Sequence, residues 1–396
     1  MADYKVVMVV DASMTYEKVM AEDAQRVLKR LEGYGAEVVY VEAQKGWDRS
    51  RFVEYASKVE KVGPEPFPVN DDLLRAAADA DVILVNFAPV GAKVIENAGK
   101  LKMIGVTRSG AENVNLEAAA KAGVKVAVAP GRLAEPVADY TVGLILAESR
   151  NIARMSITDH GGEWMNDCHN ASYIKSLKGS VVGLVGYGII GQRVAAKLAA
   201  FGCEIIAYDP FCPAGVFERT GCRSVSLEEL MRTADYVSVH ARLSKDTEGL
   251  VSRELIGMMK PHAFFINTAR SGLVDEDALV EALAAKRIGG AGLDVFSVEP
   301  IPQGHPILGL DNVTLTPHRA GNCSKLAGSA LDIIVDDVER LLRGEALAHP
   351  KRGRANNKYP RKPPGTAAFN GFRGFRTSGL NVRPHSCASH SPWRLQ

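Results

Sequence analysis

Val181-Val182-Gly183-Leu184-Val185-Gly186-Tyr187-Gly188-Ile189-Ile190-Gly191 is an apolar, valine-rich run that breaks into Gly-x-Gly-x-x-Gly and opens a helix. Val181 to Val185 suits a buried parallel strand, and Ile190, Val194, Leu198 and Phe201 then repeat at helical spacing. Strand, tight turn and helix are the context in which three glycines cradle a dinucleotide. Gly186 takes the backbone angles of the turn, Gly188 lets the main chain approach a pyrophosphate, and Gly191 lets the helix pack close to the strand. The N–H groups at the helix start, at Ile189 and Ile190, then face the phosphates.

A second strand follows the helix, Cys203 to Tyr208, and ends in Asp209-Pro210. A carboxylate at that place accepts both ribose hydroxyls of an adenosine and repels a 2′-phosphate, so the pattern selects NAD over NADP. The plainer reading of Asp209 is a turn residue before proline.

The chain of 396 residues is long enough for two domains, and 46% hydrophobic with 24% charged residues is ordinary for a globular protein. No segment reaches the roughly 18 to 20 apolar residues of a membrane span. The opening Met1 to Val10 has no basic region or long apolar stretch of a secretory signal, so a cytoplasmic location is expected. Six cysteines lie far apart with no Cys-x-x-Cys, which suggests neither a zinc site nor a disulfide framework. The net charge of +2 averages two unlike parts. From Ala346 to Gln396 there are ten Lys and Arg and no acid, which leaves 38 basic against 46 acidic residues before it. The tail, from His349 onward rich in Pro, Gly, Ser, Arg and Asn, reads as disordered. With an acidic body, nucleic acid is not the expected partner.

From Lys5 to Pro130, strand and helix patterns alternate, with strands at Val6–Val10, Val38–Val41, Val82–Asn86, Lys102–Val106 and Val124–Val128. Alternation of this kind means a parallel sheet covered by helices on both faces. Gly46 to Asn70 reads as a long surface connection. After Pro130-Gly131, the apolar helix Val137 to Ile152 needs cover, within its own domain or from a second subunit. Further strands read at Tyr236–His240, Ala263–Asn267, Gly290–Leu293 and Val313–Thr316, with a capping box at Ser226-Leu227-Glu228-Glu229. The last helix, Ser324 to Leu342, is placed to return to the first domain. The fold class is α/β with two doubly wound parallel sheets.

Ligands of an open parallel sheet sit at the carboxyl ends of its strands. Three groups arrive there: Asn267-Thr268-Ala269-Arg270, then Gly292-Leu293-Asp294 running on to Glu299-Pro300, then Thr316-Pro317-His318-Arg319-Ala320-Gly321. A histidine can take a hydroxyl proton, a carboxylate beside it holds the ring, and an arginine forks two donors onto a substrate carboxylate. That set suits removal of a hydride from a carbon bearing a hydroxyl.

Gly-Tyr-Gly-Ile-Ile-Gly with Tyr208-Asp209-Pro210, Asn267 to Glu276, Gly-Leu-Asp-Val-Phe followed by Glu-Pro, and Thr-Pro-His together resemble the D-isomer-specific 2-hydroxyacid dehydrogenases, the group containing D-3-phosphoglycerate dehydrogenase. The resemblance covers roughly Val6 to Gly344. It implies an NAD-dependent oxidoreductase that interconverts a D-2-hydroxy acid and its 2-oxo acid, with Arg270, Glu299 and His318 as the catalytic trio. It also implies that Asp294 holds the nicotinamide carboxamide, and that Thr268, Ala269, Arg270, His318 and Gly321 lie against the cofactor. The substrate carboxylate is expected on the loop of Ser109, Gly110 and Ala111, with Arg270 and His318 completing that site. A flavodoxin-like substrate domain (1–130 with 319–345), a Rossmann NAD-binding domain (131–318), a tail (346–396) and a homodimer using the apolar helix follow from the same resemblance. Where many members have Arg-Ser-x-Thr, this chain has Asn86-Phe87-Ala88-Pro89, which removes a basic residue. Two rivals share the fold: a co-repressor that senses the nucleotide, and formate dehydrogenase, whose pattern has glutamine in place of Glu299.

Overall fold

The computed structural model describes residues 3–351 apart from 45, 163, 165–167 and 169. The first sheet holds β1 (Tyr4–Val10), β2 (Ala36–Glu42), β3 (Val82–Val85), β4 (Met103–Val106) and β5 (Lys125–Val128). Its order is β2-β1-β3-β4-β5, all parallel, the flavodoxin-like arrangement. Alternation along β1 sends Val7 and Val9 to one face and Val6 and Met8 to the other. Leu73, Val94 and Ile95 cover the first face. Leu331, Ile334, Val335 and Val338 of the last helix, Leu326–Leu342, cover the second. Gly105 in β4 makes this approach possible, because a Cβ there would lie 2.6 Å from Ile334 Cγ2.

The second sheet holds β6 (Val181–Val185), β7 (Glu204–Tyr208), β8 (Arg223–Ser224), β9 (Tyr236–Val239), β10 (Phe264–Asn267), β11 (Gly290–Leu293) and β12 (Val313–Leu315). The order is β12-β11-β10-β9-β6-β7-β8, again all parallel, so the chain reverses direction across the sheet between β6 and β9. That reversal is the switch point at which dinucleotides bind in such sheets. The apolar helix, Ala134–Ser149, lays Ala138, Val142, Leu144 and Ile145 against Leu184, Phe264 and Ile266, so most of its cover comes from its own chain.

Three expectations need correction. The connection from Gly46 to Asn70 contains a helix, Arg49–Val62, capped by Asp48 accepting from Arg51 N–H at 2.8 Å, with Phe52, Ala56 and Val59 buried. Six Lys, Arg and Glu residues interleave with the apolar ones along this stretch, which hides the period. The stretch Tyr16 to Leu31, which reads in the sequence as one helix, breaks at Ala21, whose ψ of 147° is extended, into Tyr16–Met20 and Glu22–Leu28. The tail does not begin free at residue 346. Val128 N–H donates to His349 O, Lys351 N–H donates to Val126 O, and Asp337, wholly buried, accepts from the N–H groups of Ala348 and His349. Residues 346–351 thus close the edge of β5, which would otherwise show unpaired backbone groups. The disordered stretch expected beyond them, residues 352–396, lies outside the described residues.

Candidate active site

The glycine turn is built as its sequence requires. Gly186 has φ +102°, and a Cβ on it would strike Ala241 N at 2.5 Å; a Cβ on Gly191 would strike Gly186 O at 2.4 Å. By contrast a Cβ on Gly188 would meet nothing within 4 Å, so this face of the turn is open for a phosphate to approach. Gly188 is also the N-cap of the helix Ile189–Ala199, whose first N–H groups have no partner within the helix. Asp209 stands at the end of β7, and its oxygens accept from the N–H groups of Tyr187 (2.8 Å), Phe211 (2.9 Å) and Cys212 (3.1 Å). A carboxylate offers about four acceptor positions, so one remains for a ribose hydroxyl. Both readings of Asp209 therefore meet in one side chain: it ties its own turn to the glycine turn and still presents a charge.

Glu299 and His318 are brought together. His318 Nδ1 donates to Glu299 Oε2 at 2.8 Å, and the other carboxylate oxygen accepts from Phe296 N–H at 3.0 Å. A carboxylate only accepts, so Nδ1 carries the proton and Nε2 is left for chemistry. His318 has φ +53°, a left-handed conformation costly for a side chain of this size. Asp294, 1% exposed at the end of β11, explains how it persists. It accepts from Thr316 Oγ1 (2.6 Å), Arg319 N–H (2.8 Å) and Ala320 N–H (2.8 Å), which clamps the turn on both sides of the histidine. The first duty of Asp294 is thus to this turn, with one acceptor position left for a carboxamide.

Arg270 follows β10 and is exposed, its Nη1 on Ala269 O at 2.6 Å. Its turn is held by Asn267, which accepts from Ala269 N–H and donates to Arg270 O, and by Thr268, whose hydroxyl meets that of Thr141 at 2.8 Å in the core. Asn267 was expected at this edge without a stated role, and Thr141 was not expected at the site; its only sequence signal is a polar side chain inside an apolar run.

A cleft of about 490 Å³ joins the two halves. Arg270, Thr268, Ala269 and Ile190 line it from the second sheet, and Ser109 from the first. The N–H groups of Ser109, Gly110 and Ala111 donate to nothing among the described residues, as a carboxylate-binding loop requires, although the Ala111 side chain is in the core. Glu299, His318, Gly110, Gly186, Gly188, Asp209, Asp294 and Gly321 do not line this cleft; Gly321 packs beside Leu133, which does. The cleft also takes Gly131, His240 and Arg242. Burial pushes His240 down to about 4, so its ring is neutral near pH 7 and serves as a wall rather than an acid.

Residues 142–320 match the model of the D-isomer specific 2-hydroxyacid dehydrogenase, NAD binding domain. A hydroxypyruvate reductase of Thermotoga maritima is 38% identical over 251 residues, 63% of this chain and 80% of that one. The chain belongs to the D-isomer-specific 2-hydroxyacid dehydrogenase family. Its cofactor is NAD, and the open glycine turn with Asp209 fits that group. A D-3-phosphoglycerate dehydrogenase of Methanocaldococcus jannaschii is 40% identical over 277 residues, 69% of this chain and 52% of that one. The chain therefore spans about half the length of the phosphoglycerate dehydrogenases it matches. Among solved structures, the TT0316 protein of Thermus thermophilus is 31% identical with a TM-score of 0.61, over 87% of this chain and 99% of that one. Among the described residues no helix is long and apolar enough to cross a membrane.

Proposed function

We propose that this protein interconverts a D-2-hydroxy acid and the corresponding 2-oxo acid with NAD, His318 serving as acid and base. The observation that carries the reading is the 2.8 Å Glu299–His318 pair at the carboxyl edge of the sheet whose glycine turn receives the cofactor. NAD, when bound, exchanges a hydride with the carbon bearing the oxygen. In reduction, Nε2 of His318 hands a proton to the oxygen as the carbonyl becomes a hydroxyl; in oxidation it takes that proton back. Glu299 keeps the ring in the tautomer that frees Nε2. Arg270 fixes the carboxylate and polarises the neighbouring carbonyl, and the free N–H groups at Ser109 to Ala111 take the other side of the carboxylate.

The division of labour follows the sheets: residues 1–130 with 319–345 hold the acid, and 131–318 hold the nucleotide. A homodimer completes the proposal. The exposed apolar side chains Ile152 and Ile157 continue from the Ala134–Ser149 helix and are a surface a second copy can cover. Oxidation of NADH in the presence of glyoxylate, hydroxypyruvate and phosphohydroxypyruvate tests the activity. Turnover of at least one is expected, with none if the protein only senses the nucleotide.

A further inference from the structure

NAD brings ionised phosphates to the glycine turn, where backbone N–H groups receive them. The residues that open the helix there, Ile189 and Ile190, carry no charge. The two cations farther along that helix are already paired. Arg193 donates to Glu135 Oε1 at 2.5 Å and to Ile189 O at 3.3 Å, and Lys197 lies 3.0 Å from Glu135 and 2.9 Å from Asp139. Asp209 adds a negative charge at the same edge. An anion held by dipoles alone beside a carboxylate lacks a counter-charge, and desolvation in a cleft makes that lack costly.

Arg242 is placed to supply it. The sheet order puts β9 beside β6, and His240 N–H donates to Val185 O at 2.7 Å, so the loop leaving β9 starts level with the glycine turn. The two touch: a Cβ on Gly186 would lie 2.5 Å from Ala241 N and 2.7 Å from His240 C. Arg242 comes one residue later. Thr247 Oγ1 fixes its backbone, donating to Arg242 O at 2.6 Å and accepting from Ser244 N–H at 2.8 Å. The Arg242 side chain lines the cleft with Ile190 and Arg270, exposed and without a hydrogen bond or ion pair among the described residues. Among the described residues no Asp or Glu lines that cleft. Strands lie about 4.8 Å apart, so one spacing separates this loop from the glycine turn and another from the loop of Arg270.

We propose that Arg242 is a cofactor-binding residue whose guanidinium takes the pyrophosphate, while the N–H groups of Ile189 and Ile190 hold it at the glycine turn. A guanidinium suits the task, because its fork matches two phosphate oxygens and its charge is permanent. Arg270, on the next strand, is left to the substrate carboxylate. The edge then reads in order along β7, β6, β9 and β10: ribose, phosphates, counter-charge and acid. The inference rests on the glycine turn as the cofactor site, not on which acid is reduced.

Affinities for NADH, by fluorescence, and for ADP-ribose, by calorimetry, are measured in the wild type, Arg242→Met and Arg242→Lys at low and high KCl. Both ligands carry the pyrophosphate, and only NADH carries the nicotinamide. In Arg242→Met both should bind about 10- to 100-fold more weakly at low salt, the worth of one hydrogen bond to a charged group. Added salt should narrow that gap, since a charge contact is screened and a packing contact is not, and lysine should fall in between. Equal affinities in the wild type and Arg242→Met overturn the proposal alone, as does a loss that salt leaves unchanged or a loss confined to NADH. Unchanged cofactor affinity with a raised KM for the 2-oxo acid overturns it too and assigns Arg242 to the substrate. A wild type that binds neither ligand overturns the cofactor site with it. If no acid is reduced, the functional reading has failed separately, and the two binding measurements still decide this one. A melting temperature like that of the wild type shows that a variant is folded, and Arg242→Lys serves if Arg242→Met is not.

Discussion

Two carboxylates bracket His318, and they act differently. Glu299 touches the imidazole, whereas Asp294 holds the backbone on which the imidazole is carried. In Asp294→Asn one oxygen becomes an amide that cannot accept from the N–H groups of Arg319 or Ala320. The left-handed turn at His318 should relax, with a loss of about 1–3 kcal/mol in stability from denaturant melts and a lower kcat. A variant with normal stability and weakened NADH binding alone would instead assign Asp294 to the carboxamide. Asp209 carries a second prediction at this scale. Its charge should keep kcat/KM for NADH well above that for NADPH, and Asp209→Ala should narrow the gap; because Tyr187, Phe211 and Cys212 lose their acceptor, the same variant should also melt earlier. Equal wild-type kcat/KM values for the two cofactors would contradict this role.

At the scale of elements, the last helix shows what a pattern can and cannot say. Its apolar positions at Leu326, Ile333, Ile334, Val338 and Leu341 are plain in the sequence. That Ile334 would seat over Gly105 is not, because it depends on a glycine more than two hundred residues earlier. Ile334→Ala should cost about 2–5 kcal/mol, as a wholly buried side chain whose cavity the rigid sheet cannot fill. A loss below about 1 kcal/mol, the value of a half-exposed site, would show that the helix does not cover the sheet. The strands and the glycine turn were legible because strand period and turn chemistry are local. Thr141 was not, since its importance comes from a partner across the fold. Asp235 belongs to this group. Burial pushes its carboxyl up, but hydrogen bonds from Val181 N–H, His262 and Lys260 outweigh that and hold it at about 2. Its folded pKa lies below the ordinary 3.8, so the stability it adds is present above that value and is lost as pH falls from about 4 through 2. The gap is worth about 2 kcal/mol. Asp235→Asn should therefore melt earlier than wild type at pH 6 and approach it near pH 2, and parallel melting curves across that range would count against the assignment.

Across the whole molecule, residues of both sheets line one cleft, and the short segment 346–351 closes the edge of the first sheet. Truncation after Lys351 should leave melting temperature and turnover near those of the full chain. Truncation after Gly344 should lower the melting temperature, because it uncovers the edge of β5 and strands the buried Asp337 without its donors. Equal melting of the two truncations would mean that this edge needs no cover. The central claim is that His318, held by Glu299, moves the proton as hydride passes between NAD and a 2-hydroxy acid. It is tested most directly by comparing 2-oxo acid reduction by the wild type and by His318→Ala, with NADH binding followed by fluorescence in both. The account predicts a fall in kcat of about 10²- to 10⁴-fold with NADH affinity nearly unchanged. Undiminished turnover in His318→Ala would contradict it.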